Sequence, residues 1–403
     1  MASGSIFPAM DTDTLLSELG FDTSDAAKAL RASQTVVVGM SGGVDSSVCA
    51  LLVKTLGYRT VGVFMKNWED DSEHCTAEAD WRDVRRVAGA LDIPVYSVNF
   101  AEEYRRGVFE HFLSEYRQGH TPNPDILCNR EIKFKVFSDY AWTLGADFVA
   151  TGHYCRAEQG KLLKGVDPMK DQSYFLYAIA PEVLPRVLFP VGHLPKTTVR
   201  ELAARFHLAT AQKKDSTGVC FIGERDFKEF LGTYLEAQRG DFVDLAGRVL
   251  GQHDGICFYT LGQRKGLGIG GPGEPWFVAH KDLASNRVVL VQGEDHPALL
   301  APALCATEAH WLTPVEFPLR CRAKIRYRQA DQDCLVTCDH QGKLVVHFDE
   351  FQRAITPRQS IVFYQGEVCL GGAMIEQALD GYFSETRVAL SSFEAAEGLA
   401  SNP

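Results

Sequence analysis

The chain has 403 residues, 45% of them hydrophobic and 23% charged, with a formal net charge of −11. Such a chain can bury two or three cores; it has no apolar run near the roughly 20 residues of a membrane helix, and its start carries acidic residues where a signal peptide would be basic. A cytoplasmic protein without membrane attachment is therefore expected. The acidic balance excludes generic attraction to nucleic acid, so any RNA site must be local, and eleven irregularly spaced cysteines exclude a disulfide scaffold and leave thiols for catalysis or burial.

Residues 1–34 read as an N-terminal extension holding one short helix, in SELGFDTSDAAKALRA, and no chemistry. From Thr35 the pattern is apolar run, glycine turn, amphipathic segment, repeated: TVVVGM then SGGVDSSVCALLVKTLG, RTVGVFM then AEADWRDVRRVAGALD, VYSVNF then EEYRRGVFEHFLSEYRQG, and later DFVATGHY. Strands alternating with helical segments of this length predict an α/β domain with a parallel sheet, expected over residues 35–225. Glycines are dense in a small central domain over 226–300. Strands such as FPLRCRAKIRYR, DCLVTCD, KLVVHFDE and QSIVFYQGEVCLGGAMIE then recur at about ten-residue spacing, which predicts a β-barrel over 301–380, followed by a tail over 381–403.

Chemistry concentrates at the ends of the predicted strands. Gly39, Met40, Ser41, Gly42, Gly43, Val44, Asp45 and Ser46 stand between a buried strand and a helix, where small residues let backbone N–H groups approach an anion. The lysine of the Walker loop is absent, and GxGxxG does not fit. SGGVDS instead is similar to the fingerprint of PP-loop pyrophosphatases, which split ATP to AMP and pyrophosphate while adenylating a substrate oxygen. Asp45 is the expected Mg²⁺ ligand. Ligands of open α/β sheets sit beyond the carboxyl ends of the strands, so Met65 is expected to line an adenine pocket and Gly152 to let the base pack on backbone.

In TPNPDILCNR two prolines set an extended entry, Asp125 fits an N-cap, and Cys128 falls in the first helical turn, where the helix dipole would lower its thiol pKa. Cys220, in KKDSTGVCFIGER, has the small polar neighbours of a movable loop, with burial in a core the competing reading. Arg320, Arg322, Lys324, Arg326 and Arg328 alternate with apolar residues, which puts five cations on one face of a single strand, as a solvated edge or a phosphate contact.

Taken together and in order, GMSGGVDSS, FMKNW, TPNPDILCN, EIKFK, ATGHY, KDQSYFLY, KKDSTGVCFIGER, LGQRKGLGIGG, RYRQ and GEVCLGG resemble the tRNA-specific 2-thiouridylase family over about residues 35–378. The resemblance implies a PP-loop catalytic domain, a central domain and a C-terminal barrel. It also implies ATP-dependent 2-thiolation of the wobble uridine of tRNAs for Lys, Glu and Gln. Cys220 would carry the persulfide, Cys128 would be the nucleophile and Asp125 the acid–base group. Asn123, Pro124 and Asp125 would meet the target base, while His153, Lys170, Asp171, Gln172, Arg326, Tyr327 and Gln359 would contact tRNA. ATP and Mg²⁺ are the implied cofactors, and a persulfide donor or sulfur-relay protein the implied partner of a monomer. The chain departs from the family pattern at Phe351, where proline is expected, and at Arg358, where glycine is expected. Two rivals use the same motifs: another PP-loop adenylating enzyme such as a lysidine synthetase, and a non-catalytic tRNA-binding protein. The paired cysteines argue against the first, and the intact Ser41, Asp45, Cys128 and Cys220 against the second.

Overall fold

The computed structural model describes residues 12–69, 77–215 and 227–384. Their chain falls into two compact units: one from residues within 1–109, 124–225 and 367–369, the other from residues within 110–123, 226–366 and 370–403. The segment Glu110–Asn123 thus groups with the glycine-rich and barrel regions.

In the first unit the apolar, β-branched runs form β1 (Thr35–Gly39), β2 (Arg59–Lys66), β3 (Val95–Asn99) and β4 (Phe148–Ala150). A short hairpin, β5 (Cys155–Glu158) and β6 (Lys161–Lys164), and the two-residue β7 (Val187–Leu188) follow. The sheet order is β3-β2-β1-β4-β7 and every pairing in it is parallel, with Val37 opposite Val61 on one side and Val149 on the other. Chain order reverses between β1 and β4, so the crevice beyond their carboxyl ends is where an open sheet of this kind places a ligand. Residues 162 and 163 of the hairpin pair antiparallel with Cys369 and Val368.

The helix Val44–Thr55 buries Val48, Leu51 and Leu52 against Val36 and Val38 in one core. Among the described residues before 34 there are two helices where one was expected, Thr12–Glu18 and Asp25–Ala32; Leu15 and Leu16 have a core to enter and are buried in that same cluster.

In the second unit β8 (Gly240–Val243), β9 (Val249–His253), β10 (Trp276–Asp282) and β11 (Arg287–Gln292) form a four-stranded sheet, order β10-β11-β8-β9, over Phe242, Tyr259, Val278 and Leu290. The remaining strands are β12 (Leu300–Trp311), β13 (Leu319–Lys324), β14 (Gln332–Cys338), β15 (Leu344–Arg353), β16 (Ser360–Gln365) and β17 (Val368–Leu379). They run β12-β15-β14-β13-β16-β17, and β12 also pairs with β17, which closes the expected barrel. Closure leaves no free edge.

One expectation is corrected here. The basic run is not a single strand, because β13 ends at Lys324: the Gln329 side chain accepts the Ile325 N–H at 2.9 Å and the Gln329 N–H bonds back to the Arg326 carbonyl at 3.2 Å, turning the chain. Arg326 and Arg328 therefore lie beyond the strand.

Candidate active site

The motif after β1 is held open by its own side chains. Ser46 Oγ accepts the Ser41 N–H at 3.1 Å and donates to the Gly43 carbonyl at 3.1 Å, while Ser47 Oγ donates to the same carbonyl at 2.8 Å. Gly42 has φ +79°, and a Cβ there would meet the Asp80 carbonyl oxygen at 2.8 Å, so only glycine lets the turn press against the helix Ala77–Leu91. A Cβ on Gly152, just past β4, would stand 2.7 Å from the Asp45 carbonyl carbon and the Ser46 nitrogen. Gly152 thus brings bare backbone against the start of the helix Val44–Thr55, while Gly42 seats the preceding turn on the helix Ala77–Leu91, an arrangement suited to a phosphate cradle. Met40 and Val44 are buried in the core. The Met65 methyl lies 3.2 Å from where a Gly39 Cβ would be, closing one wall at the end of β2.

Sequence reasoning missed the charges around Asp45. Lys196, at the start of the helix Lys196–Arg205, donates to both carboxylate oxygens of Asp45 at 2.6 and 2.9 Å, and the Tyr154 hydroxyl donates at 2.6 Å. Lys196 also lies 2.8 Å from Asp215, which Arg200 and Lys170 reach at 2.5 and 2.9 Å. Burial opposes the Asp215 charge, but hydrogen bonds from Lys196 and Lys170 outweigh it and hold its carboxyl well below the usual carboxylate range. Burial, then the neighbouring Asp45, pushes the Tyr154 phenol far up, so it remains a donor. Lys213 bridges Asp80 and Asp83 at 2.7 and 2.8 Å, fixing the helix that backs Gly42. The clue in the sequence was the lysine following Pro195 at a helix start; a sequence separation of 151 from Asp45 hid the pairing.

The cysteine segment forms a helix, with two differences from expectation. Its first residue is Pro124, so Asp125 lies inside the first turn and is not an N-cap; Cys128, the fifth residue, opens a wider π-type stretch, Cys128–Val136. The thiol is buried, at 1% exposure, beside Asn129, whose amide donates to the Phe175 carbonyl at 3.0 Å. Burial raises the Asp125 pKa, partly opposed by the Lys133 charge. Lys133 Nζ stands 3.5 Å from His153 Nε2, and Thr151 Oγ1 lies 2.8 Å from His153 Nδ1. Burial, reinforced by Lys133, depresses the His153 pKa well below its usual value, leaving a neutral imidazole. Lys133 was a second omission, although EIKFK was in view. Cys220 lies outside the described residues.

Asp171 takes the Gly165 and Ser173 N–H groups and the Ser173 hydroxyl, each at 3.1 Å, and Gln172 accepts the Tyr154 N–H at 2.9 Å. In the second unit Arg320 pairs with Asp349, Arg322 with Asp333 at 3.1 Å, and the buried Lys324 with Asp331 at 3.6 Å. Arg326 donates to the Ala354 carbonyl at 2.9 Å and to Thr356 Oγ1. Gln359 donates to the Thr121 carbonyl.

A parallel sheet with an SGGVDSS cradle at its switch point defines an ATP-binding PP-loop protein. Profiles described as tRNA methyl transferase HUP domain, tRNA methyl transferase PRC-barrel domain and aminomethyltransferase beta-barrel domain match residues 34–224, 228–292 and 302–375. A tRNA-specific 2-thiouridylase MnmA from Pseudomonas paraeruginosa is 56% identical over 357 residues, covering 86% of this chain and 95% of that protein. The protein of that name from Protochlamydia amoebophila is 53% identical over 366 residues, covering 89% and 97%. Among solved structures, U34-tRNA thiolase NcsA from Methanococcus maripaludis is 16% identical with a TM-score of 0.36, over 52% of this chain and 66% of that one, a likeness too weak to add to these. The chain belongs to the tRNA-specific 2-thiouridylase (MnmA) family, and is thus a tRNA sulfurtransferase. Among the described residues, no helix is long and apolar enough to cross a membrane.

Proposed function

We propose that the protein converts the wobble uridine of tRNAs for Lys, Glu and Gln to 2-thiouridine in two steps on one cradle. The C2 oxygen attacks the α-phosphorus of ATP, the α–β bridge breaks, and pyrophosphate leaves. Sulfur then adds to C2, and the C–O bond breaks with AMP as the leaving group, which makes a poor leaving oxygen a good one. The observation that carries this reading is the bare-backbone approach of Gly152 to Asp45 and Ser46 at the helix start, with Lys196 on Asp45 supplying the cation that the motif lacks.

Lys196 would turn from Asp45 to the phosphates, and Asp45 would then be free to hold Mg²⁺. A single carboxylate suits a cation that takes most of its ligands from phosphate and water; among the described residues no cluster of three or more acidic, His or Cys side chains could hold a metal alone. Bound there, Mg²⁺ would neutralise charge on the departing pyrophosphate. Asp125, its carboxyl pKa raised by burial, is suited to pass a proton at the C2 substituent. Cys220 would receive sulfur as a persulfide from a donor or relay protein. Attack by Cys128 on the Cys220 Sγ of that persulfide would break its S–S bond, release the outer sulfur as hydrosulfide and leave a Cys128–Cys220 disulfide for an external thiol to reduce; direct transfer of the terminal sulfur is the competing route. Asn123, Pro124 and Asp125 would meet the base, with His153, Lys170, Asp171, Gln172, Arg326, Tyr327 and Gln359 serving the tRNA directly or by shaping the surface that does, in a monomeric cytoplasmic enzyme.

AMP formation from ATP in the presence of unmodified tRNA tests the adenylation step: it should require tRNA and magnesium and need no free amino acid. AMP formation that depends on added lysine would favour the lysidine synthetase reading, and none at all would favour a binding protein.

A further inference from the structure

Arg358 has φ +65°, a backbone conformation in which an arginine is strained and a glycine is not. Strain of this kind persists where the surroundings hold it, and it points to a task for the side chain. The Arg358 guanidinium forms a two-pronged bond to Glu115, Nε to Oε2 at 2.7 Å and Nη2 to Oε1 at 2.6 Å. Glu115 lies in the helix Glu110–Arg117 with its side chain only 6% exposed. His120 Nδ1 reaches the same carboxylate at 2.8 Å, while Glu308 approaches the outer side of the guanidinium at 3.5 Å.

The neighbouring residues continue the contact. Gln359 donates to the Thr121 carbonyl, and the turn that carries both side chains is pinned to β17 by Arg358 N to Ile375 O and Ile375 N to Gln359 O, each 2.8 Å. On its other flank, Arg326 holds Ala354 and Thr356. One polar chain within the second unit therefore links Arg326, the 354–359 turn, Glu115 and Thr121, and it ends two residues before Asn123.

We propose that Arg358 is a positioning residue for tRNA binding: by gripping Glu115 it sets the 120–123 segment and the Gln359 turn in one arrangement, so that Asn123 and Gln359 are presented together to the RNA. The inference rests on reading those two residues as RNA-facing. Planar two-pronged geometry makes the role specific to arginine, and lysine cannot reproduce it.

Full-length wild type, Arg358→Gly, Arg358→Lys and Glu115→Gln should be compared for tRNA affinity, for KM and kcat in thiolation, and for ATP affinity without tRNA. Glycine relieves the backbone strain, so Arg358→Gly is the variant least expected to unfold. It should weaken tRNA binding about tenfold and raise KM with little change in kcat, because it removes binding and not chemistry. ATP affinity should stay at the wild-type value, Arg358→Lys should not rescue, and Arg358→Gly combined with Glu115→Gln should be no worse than Arg358→Gly alone. Wild-type tRNA affinity and KM in Arg358→Gly would overturn the proposal, as would a loss of ATP affinity equal to the loss of tRNA affinity. A wild-type protein that binds tRNA but does not thiolate it would contradict the proposed chemistry alone, with the affinity comparison still deciding the role of Arg358.

Discussion

The nucleotide cradle and the basic run beginning in β13 present opposite cases. In the cradle, consecutive residues do the work: Gly42 and Ser46 shape one turn, so the short string GMSGGVDSS already contains most of the geometry of the proposed site. In the basic run the alternation of charges leaves the partners unspecified: Arg320, Arg322 and Lys324 pair with Asp349, Asp333 and Asp331 on other segments. A local motif is readable where function resides in the main chain; a charge pattern is not, because its meaning depends on which acids the fold brings across from it.

The largest effect expected from that contrast is at Asp45. Asp45→Ala should lower tRNA-dependent AMP formation by at least about 10²-fold while leaving tRNA affinity largely intact, since loss of one preorganised electrostatic group at a reacting phosphate costs on that order. Equal AMP formation in variant and wild type would break the cradle side of the comparison.

Gly152→Ala comes next. Its methyl would enter backbone at 2.7 Å, so the variant should lose about 1–3 kcal/mol of stability or ATP affinity, read by thermal unfolding with and without nucleotide. An alanine accommodated with unchanged melting and ATP binding would show that the close approach is not required.

The cradle's parts were legible because they are contiguous. Lys196 was not, since it approaches Asp45 only when the helix Lys196–Arg205 packs in the first unit, and Lys133 was not, since only the folded chain puts it beside His153. The parallel sheet and the barrel were readable from strand spacing, whereas the end of β13 depended on a single side chain, Gln329, capturing a backbone N–H. The burial of Leu15 and Leu16 shows that the segment read as an extension contributes to the core of the first unit.

The neutral, buried His153 gives a smaller and pH-dependent effect. Its folded pKa is depressed, so below the usual imidazole value of 6.5 the unfolded chain binds a proton that the folded chain resists, and stability falls as the pH drops. The loss approaches about 1.4 kcal/mol per pH unit until the folded value is reached. His153→Gln should flatten the melting temperature between about pH 7 and 5 relative to wild type; an unchanged slope would assign acid sensitivity to other groups.

Within the basic run the effects should be smallest and should differ between positions. Arg326→Ala should weaken tRNA binding and reduce the log–log salt slope by about one if its guanidinium reaches a phosphate, whereas Arg320→Ala and Arg322→Ala, which break exposed ion pairs, should cost about 0–1 kcal/mol of stability. An equal slope change at all three positions would restore the picture of a uniform phosphate-binding face.

The most direct measurement is mass spectrometry of tRNA nucleosides after incubation with the protein, ATP, Mg²⁺ and a persulfide donor, run with wild type, Cys128→Ser and Cys220→Ser. Wild type should yield 2-thiouridine. Cys128→Ser should accept sulfur on Cys220 and form AMP yet release little or no thiolated nucleoside, and Cys220→Ser should accept none there. Normal 2-thiouridine from both single variants would contradict the two-cysteine mechanism, and an absence of 2-thiouridine from active, adenylating wild-type protein would contradict the proposed function itself.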